Sequence, residues 1–114
     1  MKLICIGDSL TFGYGVHLSQ RWTRLCAQET GWELVNEGIN GDTTGGMLAR
    51  MQGGVLAELR EGGLGADRPY VLLMGGSNDV FYSGSDAAAR ENMGAMIHQL
   101  FSAVSYTHLT LPTI

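Results

Sequence analysis

The sequence predicts an α/β fold built on a parallel sheet. Three apolar segments, which begin at Lys2, Trp32 and Tyr70, are each followed by a segment with helical periodicity. Parallel strands need a long crossover between them, and that crossover is usually a helix. The alternation therefore favours a parallel sheet with right-handed crossovers.

The composition is that of one small globular domain. The chain has 114 residues, of which 45% are hydrophobic and 16% charged. This composition is typical of a globular chain rather than a disordered one. The formal net charge is −4 and Lys and Arg form no run, which disfavours nucleic acid and anionic membranes as partners. No segment reaches the roughly 20 apolar residues of a membrane span. The start of the chain resembles no signal peptide, so a cytoplasmic location is expected; the oligomeric state is open.

The first predicted strand spans residues 2–6. Its apolar run stops at Gly7, and Asp8 and Ser9 then begin a glycine-rich loop. In open parallel sheets, ligands bind beyond the carboxyl ends of the strands, which is where Ser9 lies. Taken alone, this loop is equally compatible with a phosphate-binding or a purely structural turn.

The next two elements are a helix and a strand. Ser19 is the expected N-cap of the helix, and Gly31 follows its last residue. The second strand, residues 32–36, is less apolar than the first and is expected nearer a sheet edge. The apolar stripe of the helix comprises Trp22, Leu25 and Cys26, with Glu29 as a possible extension.

A second helix should begin at Thr43 or Thr44 and break at the pair Gly53-Gly54, because each glycine costs a helix about 1 kcal/mol relative to alanine. Residues 62–65 are expected to form a loop.

The third strand, residues 70–74, is the most apolar run and is predicted to be central. A third helix should start at Ser85 or Asp86. Its expected apolar stripe comprises Met93, Met96, Ile97, Leu100, Phe101 and Val104.

Three polar, glycine-rich loops follow the three strands. They contain Ser9, Gly41 and Asn78, and the carboxyl ends of parallel strands meet at one edge of the sheet. A serine hydroxyl can attack a carbonyl group, and the resulting oxyanion needs backbone N–H and amide donors. A glycine lets a backbone N–H approach closely. This is the composition of an acyl-transfer site.

The same loops resemble the GDSL, or SGNH, hydrolases. Positions 7–10 read Gly-Asp-Ser-Leu, positions 36–43 read Asn-Glu-Gly-Ile-Asn-Gly-Asp-Thr, and positions 76–79 read Gly-Ser-Asn-Asp. These motifs are similar to the first three sequence blocks of the family, in the same order and spacing. The resemblance implies a three-layer α/β/α, flavodoxin-like fold and a domain that covers residues 1–104.

The resemblance also implies a function. Ser9 would be the nucleophile, and Gly41 and Asn78 would join the Ser9 backbone N–H in an oxyanion hole. The activity would be hydrolysis of small-molecule esters or thioesters, of the esterase, lipase or acyl-thioesterase type, without a cofactor.

The two cysteines do not indicate a metal site. Cys5 lies in a strand and Cys26 in a helix, with neither a CxxC motif nor a His/Cys cluster. We expect buried thiols that act as small apolar groups.

The family's catalytic Asp-x-x-His block has no match. The three histidines are His17, His98 and His108, and none has an aspartate three residues before it. Without a base a serine hydroxyl is a weak nucleophile, so we expect little turnover from this chain. We interpret it as the N-terminal part of a hydrolase that stops after the third strand–helix unit, with an apolar surface and an open sheet edge left uncovered.

Residues 105–114 differ from the rest. They lack Asp, Glu, Lys and Arg and alternate threonine with apolar residues. One interpretation is a fourth strand at 108–111. The favoured one is a non-native tail, since the segment resembles the peptide that sequencing-adapter read-through leaves at the ends of gene fragments.

Two other functions stay open at this level. A phosphate- or nucleotide-binding domain would use the loop after the first strand, although the chain has neither G-x-G-x-x-G nor G-K-[ST], and Asp8 would repel a phosphate. A non-catalytic binding module would keep the pocket without the base.

Overall fold

The computed structural model describes residues 1–61 and 69–103. Three strands, β1 (Lys2–Gly7), β2 (Glu33–Gly38) and β3 (Tyr70–Met74), form a parallel sheet in the order β2-β1-β3. The predicted α/β class and parallel sheet are confirmed. β2 is an edge strand as expected, but the prediction of a central β3 is wrong for the described residues. The middle position belongs to β1, which pairs on both sides.

Six helices and one 3-10 turn connect and follow the strands in the described part of the chain. The turn is Leu18–Gln20. The helices are α1 (Ser9–Phe12), α2 (Trp22–Thr30), α3 (Thr44–Ala49), α4 (Val55–Glu61), α5 (Ser77–Ser83) and α6 (Ala87–Ala103).

The main core lies between one face of the sheet and helices α3, α4 and α6. Ile4 and Ile6 of β1 are fully buried there, because alternate residues of a strand point to the same face. Val71 and Leu73 of β3 pack against the same cluster. Its other buried members come from helices α3, α4 and α6 and from the turn between α3 and α4: Met47, Met51, Val55, Leu56, Leu59 and Met96.

The opposite face of the sheet is only partly covered. Helices α1 and α2 pack mainly on β2 and on the end of β1. On β3 the alternate side chains Tyr70, Leu72 and Met74 are 56%, 38% and 37% exposed. In the described residues the outer edge of β3 has no paired strand. The expected uncovered apolar surface and open edge are therefore present.

Several local predictions are confirmed. Gly31 ends α2 with a left-handed φ of 74°, Thr43 caps α3 by accepting from the Gly46 N–H, and the chain is non-helical at Gly53-Gly54. The third helix follows Asp86 as expected.

The predicted N-cap at Ser19 is wrong. The His17 ring accepts from the Ser19 N–H and so forms the 3-10 turn, and α2 begins only after Arg21. The predicted apolar stripe of α2 is only partly buried: Trp22 and Cys26 are half-buried, whereas Leu25 is 47% exposed. The buried residue of this helix is Thr23. Helices α1 and α5 lie within segments that were predicted to be loops.

Some predictions fall on other parts of the chain. Three predictions concern residues outside the described ones. They are the loop at 62–65, the place of Val104 in the apolar stripe of the third helix, and the two interpretations of residues 105–114, which include His108. Within the described residues, no helix has the length and apolarity that crossing a membrane requires.

Candidate active site

Ser9 lies in the turn where β1 ends and α1 begins. Asp8 is the N-cap of α1, and its buried carboxylate accepts a hydrogen bond from the Leu10 N–H at 3.0 Å. Ser9 is half-buried, and its hydroxyl has no hydrogen-bond partner among the described residues. The hydroxyl is therefore available to a ligand.

The backbone of α1 is anchored by side chains from two other elements. The Trp22 indole N–H donates to the carbonyl oxygens of Leu10 and Thr11, at 3.2 and 3.1 Å. The Asn36 amide donates to the Thr11 carbonyl at 2.9 Å. The Ser9 carbonyl accepts from the N–H groups of Gly13 and Tyr14, whereas the later carbonyls of so short a helix have no intrahelical partner. The bonds to Leu10 and Thr11 therefore hold the turn that carries Ser9.

Two glycines bring the loops close together at the carboxyl edge of the sheet. Gly7 of β1 is level with Gly38 of β2 and Met74 of β3. A Cβ on Gly38 would lie 2.7 Å from the Phe12 Cα, and one on Gly7 would lie 2.6 Å from the Met74 carbonyl oxygen. The three strands therefore end at one edge, as the sequence predicted, and their loops leave from it in close contact.

Gly41 lies in the loop after β2 with a left-handed φ of +77°, a conformation that residues with a Cβ rarely adopt. Its N–H makes no hydrogen bond with the described residues. The position that a Cβ would take is 3.8 Å from the Tyr82 hydroxyl. This N–H is thus an unused donor on an open part of the loop.

Asn78 lies at the start of α5 and contacts the loop that contains Gly41. Its Nδ2 donates to the carbonyl oxygen of Asp42 at 2.8 Å. A primary amide has two N–H groups, so this bond fixes the side chain while the second N–H remains available to another acceptor.

A buried carboxylate ties α5 to α3. Asp79 accepts from the Thr44 N–H at 2.8 Å and from the Thr44 hydroxyl at 2.7 Å. Asn92 of α6 donates to the same hydroxyl at 3.1 Å. These bonds satisfy the buried polar groups and join the helix that carries Asn78 to the start of α3.

Arg50, just after α3, contacts three segments of the chain. Its Nη1 donates to the Glu37 carbonyl at 2.6 Å and its Nη2 to the Gly7 carbonyl at 2.9 Å. Its Nε and Nη2 each lie 2.9 Å from Oδ2 of Asp42. One guanidinium group thus binds the end of β1, the end of β2 and Asp42, the residue after Gly41.

The described residues place no base beside Ser9. His17 is exposed and pairs with Ser19, and His98 is exposed on α6. No three His, Cys, Asp or Glu side chains among the described residues are grouped so that they could hold a metal ion. Cys5 and Cys26 are free thiols; burial and then the nearby Cys26 raise the pKa of Cys5 to about 11.

Comparison with known proteins identifies the family. The profile of the GDSL-like lipase/acylhydrolase family matches residues 5–113. The chain belongs to this family. Esterase TesA of Pseudomonas aeruginosa is 30% identical over 100 residues, which are 82% of this chain and 45% of TesA.

Solved structures of GDSL-family proteins have the same fold. A G-D-S-L family protein from Desulfitobacterium hafniense superposes with a TM-score of 0.75 and 27% identity, over 89% of this chain and 53% of that one. The psychrotrophic esterase EstA from Pseudoalteromonas sp. gives 0.69 and 25%, over 90% and 54%. The chain therefore has the SGNH-hydrolase α/β fold and spans about half the length of these relatives.

The candidate residues Ser9, Gly41 and Asn78 all lie at the carboxyl edge of the sheet, and their catalytic roles stay predictions. The loop-holding contacts of Asp42, Arg50 and Asp79 were not predicted from the sequence, and Thr44 was expected only as one of two starts of a helix. Their contacts join residues up to 48 positions apart, and no local pattern in the sequence indicates such a contact.

Proposed function

We propose that this GDSL-family chain carries the nucleophile and oxyanion hole of a serine ester hydrolase. In this mechanism the Ser9 Oγ attacks the carbonyl carbon of an ester or thioester and loses its proton to a base. The carbonyl π bond breaks as the new C–O bond forms, which leaves an oxyanion. Its collapse breaks the C–O or C–S bond to the leaving group, which takes the proton from the base and departs as the alcohol or thiol. Water then attacks the acyl-enzyme, which releases the acid and restores the Ser9 hydroxyl.

The proposed oxyanion donors are the backbone N–H groups of Ser9 and Gly41 and the Asn78 amide. The observation that carries the proposal is that Asn78 donates one amide N–H to the carbonyl of Asp42, the residue after Gly41, whose own N–H has no hydrogen-bond partner among the described residues. A donor that is already oriented needs no reorganisation during the reaction, which is the basis of oxyanion stabilisation.

The base is proposed to lie outside these 114 residues. The sequence contains no Asp-x-x-His, and the chain spans 45% of TesA. We therefore expect the complete protein to be active and this chain alone to turn over slowly, with at most the roughly 10³–10⁴-fold over water that an oxyanion hole and binding retain.

The proposed substrates are esters or thioesters with small or lipid-like acyl groups. Apolar side chains near the candidate site are exposed: Leu10 by 64%, Ile39 by 50% and Phe81 by 82%. Two of the relatives, TesA and EstA, are named as esterases. The EstA structure is one inhibited by monoethylphosphonate, a reagent class that we use below.

A phosphate-binding function is less well supported. The helix that follows β1, α1, has only four residues, and the Asp8 carboxylate already occupies its N-terminus. A carboxylate there repels a phosphate. A binding module without catalysis is separated from the hydrolase by the following test.

The test is reaction with a fluorophosphonate probe, which labels activated serines. It uses this chain and the product of the complete reading frame in which the sequence lies. We expect the probe to label the complete product and Ser9→Ala to abolish the labelling. The control Ser19→Ala, which removes an exposed hydroxyl, should leave the labelling unchanged. If the folded complete product does not label, Ser9 is not an activated nucleophile and the binding-module function replaces the hydrolase.

A further inference from the structure

We propose that Arg50 is a positioning residue of the active site, a role that rests on the proposed function. Its guanidinium holds the loop with Gly41 and Asp42 at a fixed distance from the strand end that leads to Ser9. Arg50 touches neither the proposed nucleophile nor the proposed oxyanion donors, so it would act through the backbone that carries them.

The contacts of Arg50 fall on the backbone that leads into the site. Gly7 is two residues before Ser9, and its carbonyl accepts from Nη2 at 2.9 Å. The same carbonyl accepts from the Ile39 N–H at 3.1 Å. This hydrogen bond continues the pairing of β1 and β2 into the loop after β2. Arg50 therefore reinforces the junction at which these two loops separate.

Asp42 extends this junction to the third loop. Its Oδ2 lies 2.9 Å from Nε and Nη2 of Arg50, and its carbonyl accepts from Asn78 at 2.8 Å. A shift of Asp42 would therefore move both Gly41, its neighbour in the chain, and the Asn78 amide. Ser9 would stay in place, because Asp8 and Trp22 hold α1 independently. Loss of Arg50 should thus misalign the oxyanion donors relative to the nucleophile.

The arrangement requires a guanidinium rather than a positive charge alone. Arginine has five N–H donors in a rigid planar fork, whereas lysine has one compact ammonium on a flexible stem. A lysine at position 50 could neutralise Asp42 but could not also bond two carbonyls with the geometry of the fork. The residue is mostly buried, with 22% of its side chain exposed, so water is a poor substitute for the lost donors.

The alternative is that Arg50 only stabilises the fold. The two roles differ in kinetics. A misplacement of about 1 Å in an active site can cost about a hundredfold in rate, and a donor that acts only in the transition state affects kcat and kcat/KM equally. A purely structural role would lower the amount of folded protein and leave the rate per folded site unchanged.

The experiment measures hydrolysis of a p-nitrophenyl ester by the product of the complete reading frame, with active sites counted by fluorophosphonate labelling. The variants are Arg50→Lys and Arg50→Gln. The matched control is Arg24→Gln, which changes an exposed arginine on α2. We expect kcat per labelled site to fall about ten- to a hundredfold in both Arg50 variants, KM to change less than about twofold, and Arg24→Gln to match the parent.

Each other result has a definite meaning. If the Arg50 variants keep the parental kcat per labelled site, or if neither of them folds, the positioning role is overturned and Arg50 is a structural residue. If Arg50→Lys alone restores the parental rate, the charge suffices and the argument from the planar fork is wrong. If the parent itself shows no Ser9-dependent labelling, the proposed function fails first, and the positioning role fails with it.

Discussion

The side-chain amide of Asn78 donates a hydrogen bond to the carbonyl oxygen of Asp42 across 2.8 Å. This bond joins the third polar loop to the second, although the two residues are 36 positions apart in the chain. It orients one amide N–H and leaves the other for a ligand, so its loss should affect both the loop contact and catalysis.

If the proposed function holds, Asn78→Ala should lower the kcat of the complete protein about 100- to 1000-fold, because loss of one oxyanion donor has this effect in serine hydrolases. Steady-state kinetics of the purified variant measure it. Gln28→Ala removes an exposed amide from α2 and is the control. An Asn78→Ala variant with more than half of the parental kcat would exclude Asn78 from the oxyanion hole.

We expect Gly38→Ala to destabilise the protein by about 1–3 kcal/mol, the usual range for overpacking. The new Cβ would lie 2.7 Å from the Phe12 Cα, which is backbone and cannot rotate away. The matched control is Gly53→Ala, since a Cβ there meets nothing within 4 Å; restriction of the unfolded chain should make it neutral or slightly stabilising. Urea denaturation measures both, and equal stabilities would contradict the close approach of the two loops.

We expect the folded protein to lose stability at alkaline pH through Cys5. The pKa of this thiol is raised to about 11 from an ordinary 9.0, by burial and then by Cys26. Between these values the unfolded chain loses the proton and the folded chain keeps it, so the free energy of unfolding falls as pH rises from about 9 to 11.

The comparison is with Cys5→Ala, which has no thiol to titrate at this position. Urea midpoints between pH 8 and 11.5 should fall more steeply for the parent than for the variant. Parallel curves would mean that the thiol ionises as readily in the folded state as in the unfolded one.

We expect the isolated chain to associate through the uncovered face of β3, which comprises Tyr70, Leu72 and Met74. An exposed apolar face beside an unpaired strand edge promotes aggregation. Static light scattering should show less association for Leu72→Thr/Met74→Thr than for the parent. Leu25→Thr, on α2, is the control for general loss of exposed apolar area. A parent that is monomeric and melts reversibly would contradict this prediction.

The strands and their order along the chain were predictable because β1 and β3 are short apolar runs that end at a glycine, and β2 has a shorter apolar centre between polar residues. The bounds of β3, Tyr70–Met74, were predicted without error, and β1 differed by one residue. The position of β3 in the sheet was not predicted correctly. An apolar run indicates a strand that is buried on both faces, whereas one face of β3 is exposed in the described residues. The short helices α1 and α5 escaped prediction because four and seven residues are too few for a periodic pattern.

The candidate site was predictable in part. Ser9, Gly41 and Asn78 stand in motifs, and parallel strands bring those motifs to one edge. The side chains that hold the loops, above all Arg50, have no such signal. Arg50 ends a helix in a position where the sequence alone suggests a solvated cation, and only the fold brings Gly7 and Glu37 to it.

The most direct test of the central claim is a crystal structure of the complete protein after reaction with a fluorophosphonate. We expect phosphorus bonded to the Ser9 Oγ, with the phosphonyl oxygen about 2.7–3.1 Å from the N–H groups of Ser9 and Gly41 and from the Asn78 amide. An adduct on another residue, or a phosphonyl oxygen that faces solvent away from Gly41 and Asn78, would contradict it.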